Sequence, residues 1–251
     1  MTTTTVNPET LWIRRFRQPE PAAVQLVCLP HAGGNASFFV PMARALAGRC
    51  EVLAVQYPGR HERIGEPLLD SVEQLADGLL PVLRHQLHGP VALFGHSLGA
   101  TVAFELARRL EESGTVPAAL FVSARPAPSR QRFSRVHLGT DAELLARMRS
   151  LGGTDDDILK DGDLLRLALP IVRNDYKAAE TYRFRGGRPL SCPVHMLTGR
   201  DDTVLTEDDA RAWADHTTGP FTLHTYDGGH FYLVEHEQEV LDTIAGALLP
   251  A

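Results

Sequence analysis

Val91-Ala92-Leu93-Phe94-Gly95-His96-Ser97-Leu98-Gly99 joins a compact apolar run to a G-x-S-x-G turn, and an amphipathic segment follows at once. Residues 91–94 read as a buried strand. From Leu98 onward Val102, Leu106 and Leu110 recur at four-residue intervals and put one apolar stripe on a helix. Between the two, the glycines permit a sharp turn that strains the serine backbone and lifts the Ser97 hydroxyl above the sheet edge. The helix that follows points its N-terminus at the same spot, so developing negative charge meets the positive end of a dipole. The competing reading, a chance glycine-serine turn, requires neither flank.

On both sides of this stretch, short apolar strands alternate with longer amphipathic segments. Strands are expected at 24–29, 51–56, 118–122, 194–197 and 221–226. Helices are expected at 37–47, at 71–87 with Ser71 as N-cap and Gln74 completing a capping box, and from about Glu237. Right-handed crossovers turn this alternation into an α/β fold, a mostly parallel central sheet flanked by helices. The rhythm breaks between Val122 and Val194, where only helical patterns around 142–150 and 164–182 occur, separated by Gly152-Gly153 and Asp155-Asp156-Asp157. An insertion of this size reads as a functional cap. The expected organisation is therefore one domain over 1–251 with a helical lid inserted at about 125–193.

Composition narrows the function classes. Lys+Arg 25 against Asp+Glu 31 gives a net charge of -6, which argues against a coat for nucleic acid or an anionic membrane. No apolar run approaches the roughly 20 residues of a membrane span, and MTTTTVNPET lacks the basic and apolar regions of a secretory signal. Cys28, Cys50 and Cys192 are scattered, with no metal-ligand spacing. The expectation is a cytoplasmic protein without metal or cofactor.

A serine needs a base, and the base an orienting acid. In this architecture the chain order is serine, acid, histidine. After the strand at 194–197 comes Thr198-Gly199-Arg200-Asp201-Asp202, a carboxylate at the C-terminal end of a strand. After the strand at 221–226 comes Asp227-Gly228-Gly229-His230-Phe231. Both fall on the edge of an open α/β sheet where sites gather. Ser97, Asp202 and His230 form a consistent triad. Asp202 is preferred because it stands three residues past Gly199, with adjacent Asp201 the alternative. The strand ending at Val122, another common home for the acid, is followed by Ser123-Ala124-Arg125 and offers no carboxylate. His31 and His96 sit in turns, His195 and His224 inside strands and His236 near a helix start; only His230 combines position, flanking glycines and chain order. Pro30-His31-Ala32-Gly33-Gly34 follows the first strand, and a glycine turn there can aim a backbone N–H at an oxyanion. Ala32 and Leu98 are the expected donors. An ordinary βα turn competes, and a phosphate loop is disfavoured by the lack of Gly-x-Gly-x-x-Gly or Gly-Lys-Ser/Thr. Spacing alone reaches an acyl-transfer hydrolase and no further.

Together these motifs resemble the stand-alone type II thioesterases of polyketide and nonribosomal peptide synthesis, within the α/β-hydrolase superfamily. The resemblance covers nearly the whole chain. It rests on Leu29-Pro30-His31-Ala32-Gly33-Gly34, Gln56-Tyr57-Pro58-Gly59-Arg60, Gly95-His96-Ser97-Leu98-Gly99, the stretch from Asp175 to Tyr182, and Gly228-Gly229-His230-Phe231. The Tyr57-Pro58-Gly59-Arg60 and His31-Ala32-Gly33-Gly34 turns are its most diagnostic parts. It implies Ser97, Asp202 and His230 as triad, with Ala32 and Leu98 as oxyanion hole. It also implies hydrolysis of acyl thioesters from the phosphopantetheine arm of an acyl or peptidyl carrier protein, clearing stalled or wrong units from an assembly line.

Arg125, Arg130, Arg132 and Arg135 lie in a stretch without acidic residues just before the lid. Part of it is expected to meet an acidic carrier protein or the phosphate of its arm, against the plainer reading of a solvated run. The rival functions are a general carboxylesterase, lipase-like or medium-chain acyl thioester hydrolase, and a catalytically silent scaffold on the same fold.

Overall fold

The computed structural model describes residues 11–16, 22–130, 134–153 and 162–248. Seven strands form one sheet among these: β1 (Ile13–Arg15), β2 (Val24–Leu29), β3 (Cys50–Val55), β4 (Val91–His96), β5 (Ala119–Ser123), β6 (Val194–Gly199) and β7 (Phe221–Tyr226). Their order is β1-β3-β2-β4-β5-β6-β7. β2 to β7 run parallel, and β1 pairs antiparallel to β3 through Ile13↔Val55. At three residues β1 is too short to carry a period of its own. Its place comes from the pairing, so it was not legible in advance.

β2 explains how the layers arise. All six of its residues are buried, as for a parallel strand covered on both faces. Val27 and Leu29 point to one face, where α2 (Val72–Gln86) and α3 (Leu98–Glu112) pack through Leu75, Leu79, Val102 and Leu106. Leu26 and Cys28 point to the other, covered by α1 (Val40–Ala45) and the C-terminal α8 (Glu237–Leu248) through Met42, Val240 and Ile244. The period of two along the strand thus becomes two apolar layers.

Two local readings are corrected. The segment expected as a helix over 37–47 is a 3-10 turn, Ala36–Phe39, capped by the Asn35 side chain, followed by the shorter α1. Ser71 does cap α2 by accepting from the Gln74 N–H at 3.2 Å, but Gln74 Oε1 accepts from the Asp70 N–H, one residue earlier than a capping box requires.

Between β5 and β6 lie α4 (Asp141–Leu151) and α5 (Gly162–Thr181). Asp155, Asp156, Asp157 and Arg132 fall outside the described residues. The C-terminal half of α5 and the residue after it are tied to the body of the fold at several points. Asn174 Nδ2 donates to the Leu69 carbonyl at 2.7 Å, Lys177 Nζ pairs with Asp70 at 2.5 Å, and the Tyr182 hydroxyl donates to buried Glu105 at 2.7 Å. Between β7 and α8 comes one turn, α7 (Tyr232–Glu235), and α6 (Glu207–Arg211) follows β6. Among the described residues, no helix is long and apolar enough to cross a membrane.

Candidate active site

Ser97 sits between β4 and α3 with φ 54° and ψ -115°, a left-handed backbone that a residue with a Cβ rarely adopts. Its N–H donates to the Ser123 carbonyl at 2.8 Å, so the neighbouring strand β5 holds the strained peptide in place. The flanking glycines are close-approach positions. A Cβ on Gly95 would collide with the backbone of Gly99, and one on Gly99 with the carbonyl of Leu29 at the end of β2. Both glycines of G-x-S-x-G are thus required by packing of main chain on main chain.

The acid and the base follow the ends of β6 and β7, with β5 between them and the serine. The Asp202 N–H bonds back to the Gly199 carbonyl at 3.3 Å and closes a turn that carries Asp202 inward. Asp201 remains exposed and, among the described residues, is engaged only through its N–H to the Gly228 carbonyl at 2.9 Å. Gly199 matters a second time. A Cβ there would strike the Gly228 and Gly229 carbonyls, so its bareness lets the histidine loop close on β6. His230 Nδ1 donates to Asp202 Oδ2 at 2.8 Å, and the Val204 N–H donates to Oδ1 at 2.9 Å. Both side chains are buried, at 2% and 0% exposure. A carboxylate only accepts, so this network assigns the proton to Nδ1 and leaves Nε2 with a free lone pair. The chain thus brings Asp202, rather than Asp201, to His230.

Ser97 and His230 border the same cavity of about 330 Å³. Among the described residues, no hydrogen bond joins the Ser97 hydroxyl to the His230 imidazole. Ala32 and Leu98 border the same space. Leu98 opens α3, where N–H groups have no intrahelical partner. In the turn before it in space, the Gly33, Gly34 and Ala36 N–H groups donate to Asp175, His31 and Gln56 respectively. The Ala32 N–H has no hydrogen-bond partner among the described residues. Met148, Leu151, Val172 and Tyr176, from α4 and α5, also line the cavity.

Two more histidines crowd the site. The His96 ring centroid is 5.1 Å from that of His230 and 5.8 Å from that of His31. Burial, then the charge of His230 and of Arg60, pushes His31 down to about 3. Burial likewise lowers His96, aided by His230 and His31. Both are neutral at neutral pH. His96 Nδ1 lies 2.9 Å from the Ser123 hydroxyl, itself 2.7 Å from the Tyr232 hydroxyl. Phe231 packs its ring edge-on against His31 and beside His230, and Gly153 at the end of α4 lies so close that a Cβ would come within 2.5 Å of that ring. His195 and His224 stack within the sheet, their Nδ1 and Nε2 atoms 3.2 Å apart, as strand histidines.

Of the arginine stretch, Arg125 borders the cavity and donates through Nη2 to the Ala179 carbonyl at 2.8 Å, while Arg130 and Arg135 are exposed. Spacing gave no role to Arg60 or Asp175, which meet as a buried bidentate pair 115 positions apart at 2.8 and 2.9 Å. Their only early signal was membership of the resembling motifs. Among the described residues, no group of three side chains is placed to hold a metal ion.

Comparison with known proteins agrees with this geometry. Residues 24–248 match the family model described as a thioesterase domain. Thioesterase PikA5 of Streptomyces venezuelae is 48% identical over 241 residues, covering 95% of this chain and 86% of the relative. The type II thioesterase BorB from the borrelidin biosynthetic cluster superposes with a TM-score of 0.91 at 57% identity, covering 97% of this chain and 100% of that one. RedJ, a thioesterase from the prodiginine biosynthetic pathway in Streptomyces coelicolor, gives 0.87 at 33% identity, covering 93% and 95%. A mostly parallel seven-stranded sheet with the α/β-hydrolase order, a serine on a strained elbow and these relatives place the chain in the thioesterase family, among the type II thioesterases of polyketide and nonribosomal peptide biosynthesis.

Proposed function

We propose that this thioesterase hydrolyses acyl thioesters held on the phosphopantetheine arm of an acyl or peptidyl carrier protein, through an acyl-enzyme on Ser97. The observation that carries the reading is the buried His230–Asp202 hydrogen bond opening onto the cavity that Ser97 borders from its strained elbow. His230 Nε2 takes the proton as Ser97 Oγ attacks the thioester carbonyl, and the Ala32 and Leu98 N–H groups receive the oxyanion. The tetrahedral adduct collapses, the C–S bond breaks and the thiol of the arm leaves with that proton. Water gives a proton to the same imidazole as its oxygen attacks the acyl-serine carbonyl; the C–O bond to Ser97 then breaks, that proton returns to Ser97 Oγ, and the free acid departs. Asp202 keeps its proton balance throughout and orients the ring. Removal of stalled or wrong acyl units is the purpose this chemistry serves in the family.

The segment at 125–193 acts in this reading as the lid over the acyl chain, because its helices supply Met148, Leu151, Val172 and Tyr176 to the cavity wall. Exposed Arg130 and Arg135 are the basic residues offered to an acidic carrier.

A panel of acyl-carrier thioesters, small acyl thioesters and matched oxygen esters tests the reading, with Ser97→Ala as control. Carrier thioesters are expected to be hydrolysed best, Ser97→Ala to be inactive, and Arg130→Glu to lose turnover on carriers more than on small thioesters. Preference for oxygen esters would make the protein a general esterase, and failure of a fluorophosphonate probe to label Ser97 would make it a silent scaffold. Equal loss on both thioester classes in Arg130→Glu would remove the docking role.

A further inference from the structure

We infer that Asp175, held by Arg60, is a positioning residue for the oxyanion donor at Ala32, so that one helix of the lid both walls the acyl cavity and sets the backbone turn facing the reacting carbonyl. The inference rests on the reading of Ala32 as an oxyanion donor.

The turn after β2 is gripped from three sides. Asp175 Oδ2, on α5, accepts from the Gly33 N–H at 2.8 Å. Arg60 Nη1 donates to the Gly34 carbonyl at 3.1 Å. Within the turn, the Gly34 N–H donates to the His31 carbonyl at 2.9 Å. The peptides on both sides of Ala32 are thereby fixed, since the His31 carbonyl belongs to one and the Gly33 N–H to the other. Among the described residues, the Ala32 N–H is left without a partner, and Ala32 borders the cavity.

The clamp is rigid in itself. Arg60 Nη1 and Nη2 make a fork to the two Asp175 oxygens at 2.8 and 2.9 Å, and Nε donates to the Pro58 carbonyl at 3.4 Å. Exposure is 4% for the arginine side chain and 0% for the aspartate. A buried ion pair is a weak source of stability compared with apolar packing, and geometry is what a bidentate pair adds. Contact reinforces it. Gly33 has φ +77°, and a Cβ there would come within 2.7 Å of Val172, one turn before Asp175 on the same helix. The helix therefore touches the turn through both charge and shape.

A helix anchor without a positioning role is the alternative, and Lys177 separates the two. Its pair with Asp70 ties the same helix to the fold without reaching the turn. The experiment compares wild type, Arg60→Gln/Asp175→Asn, which leaves no lone buried charge, Arg60→Lys and Lys177→Ala. Readouts are kcat and KM on an acyl-carrier thioester, and the rate of Ser97 labelling by a fluorophosphonate, whose phosphoryl oxygen uses the same donors. The folded double variant is expected to lose about 10–100-fold in kcat and in labelling rate, with KM changed by about 2-fold or less, as for a displaced oxyanion donor. Lys177→Ala is expected to keep both rates. Arg60→Lys keeps the charge but loses the fork, so it decides the matter if the double variant does not fold; a kcat loss at unchanged KM sustains the inference. Wild-type kcat and labelling in the folded variants, or an equal loss in Lys177→Ala, would overturn it. Failure of the functional reading shows elsewhere, as an inactive wild type or an active Ser97→Ala.

Discussion

Replacing Asp202 by Asn exchanges one oxygen for an amide nitrogen, and the hydrogen bonds around that position dictate the outcome. Asp202 Oδ1 accepts from the Val204 N–H at 2.9 Å and Oδ2 from His230 Nδ1 at 2.8 Å. An asparagine has one acceptor for these two donors. Turned with its oxygen to His230, it would set its NH2 against the Val204 N–H and leave a buried donor unpaired, a cost of about 1–3 kcal/mol. Turned with its oxygen to Val204, it offers the NH2 to His230, and the imidazole answers by moving its proton from Nδ1 to Nε2. No donor then faces a donor at Val204 or at Nδ1, so this second arrangement prevails. The protein stays folded, but Nε2 now carries a hydrogen and cannot take the proton of Ser97. Loss of the working tautomer in such a triad costs about 10⁴ in kcat, or about 5.4 kcal/mol of barrier. Steady-state hydrolysis of an acyl-carrier thioester measures this, with thermal unfolding to show that the fold persists. Asp201→Asn serves as the neighbour control, since its side chain is exposed and, among the described residues, only its N–H is engaged; it should keep activity within about 2-fold. Retention of more than about a tenth of wild-type kcat by Asp202→Asn, or an equal loss in Asp201→Asn, would refute the assignment of the acid and the tautomer argument with it.

Two further outcomes follow from the packing and from the buried histidines. Gly99→Ala drives a Cβ into the Leu29 carbonyl, where both neighbours are main chain, and should destabilise by about 3 kcal/mol, the upper range for overpacking, read as a lowered denaturation midpoint; a wild-type midpoint would contradict the close approach. Stability should also fall as pH drops from 6.5 to 5, because the unfolded chain takes up protons that native His31, His96 and His195 refuse; His31 is held at about 3, His195 at about 4 and His96 well below 6.5. The slope is up to about 1.4 kcal/mol per pH unit for fully buried His96 and less where water reaches the ring. His236, raised by Glu239 at the surface, acts in the opposite direction, whereas Glu62, Glu66 and Glu180, held below 4.5, add a small loss in the same direction as their unfolded counterparts begin to protonate toward pH 5. Equal urea midpoints at pH 6.5 and 5 would count against it.

Much of the sheet and of the nucleophile's setting was legible because each depends on neighbours in the chain. β2 and β7 occupy the expected residues, and β4, β5 and β6 differ by two residues or fewer at either end. Apolar runs between glycine and proline turns mark strands whether or not the partner strand is known. β1 escaped because its three residues are a strand only by virtue of Val55 opposite. The Gln74 side chain bonded one residue away from its expected target because two adjacent N–H groups at a helix start are equivalent in pattern and differ only in reach.

The same division holds at the site. The amino-acid sequence alone determined that a serine would stand on a strained strand-to-helix turn, with a histidine and an acid at later strand ends, since spacing and chain order suffice for that. Between Asp201 and Asp202 spacing could state a preference only; the turn closed by the Gly199 carbonyl turns one inward to His230 and leaves the other in water. The buried fork between Arg60 and Asp175 was decided by tertiary structure outright. Partners 115 positions apart share no period, and what joins them is the descent of α5 onto the turn after β2, where a buried carboxylate must find its donors.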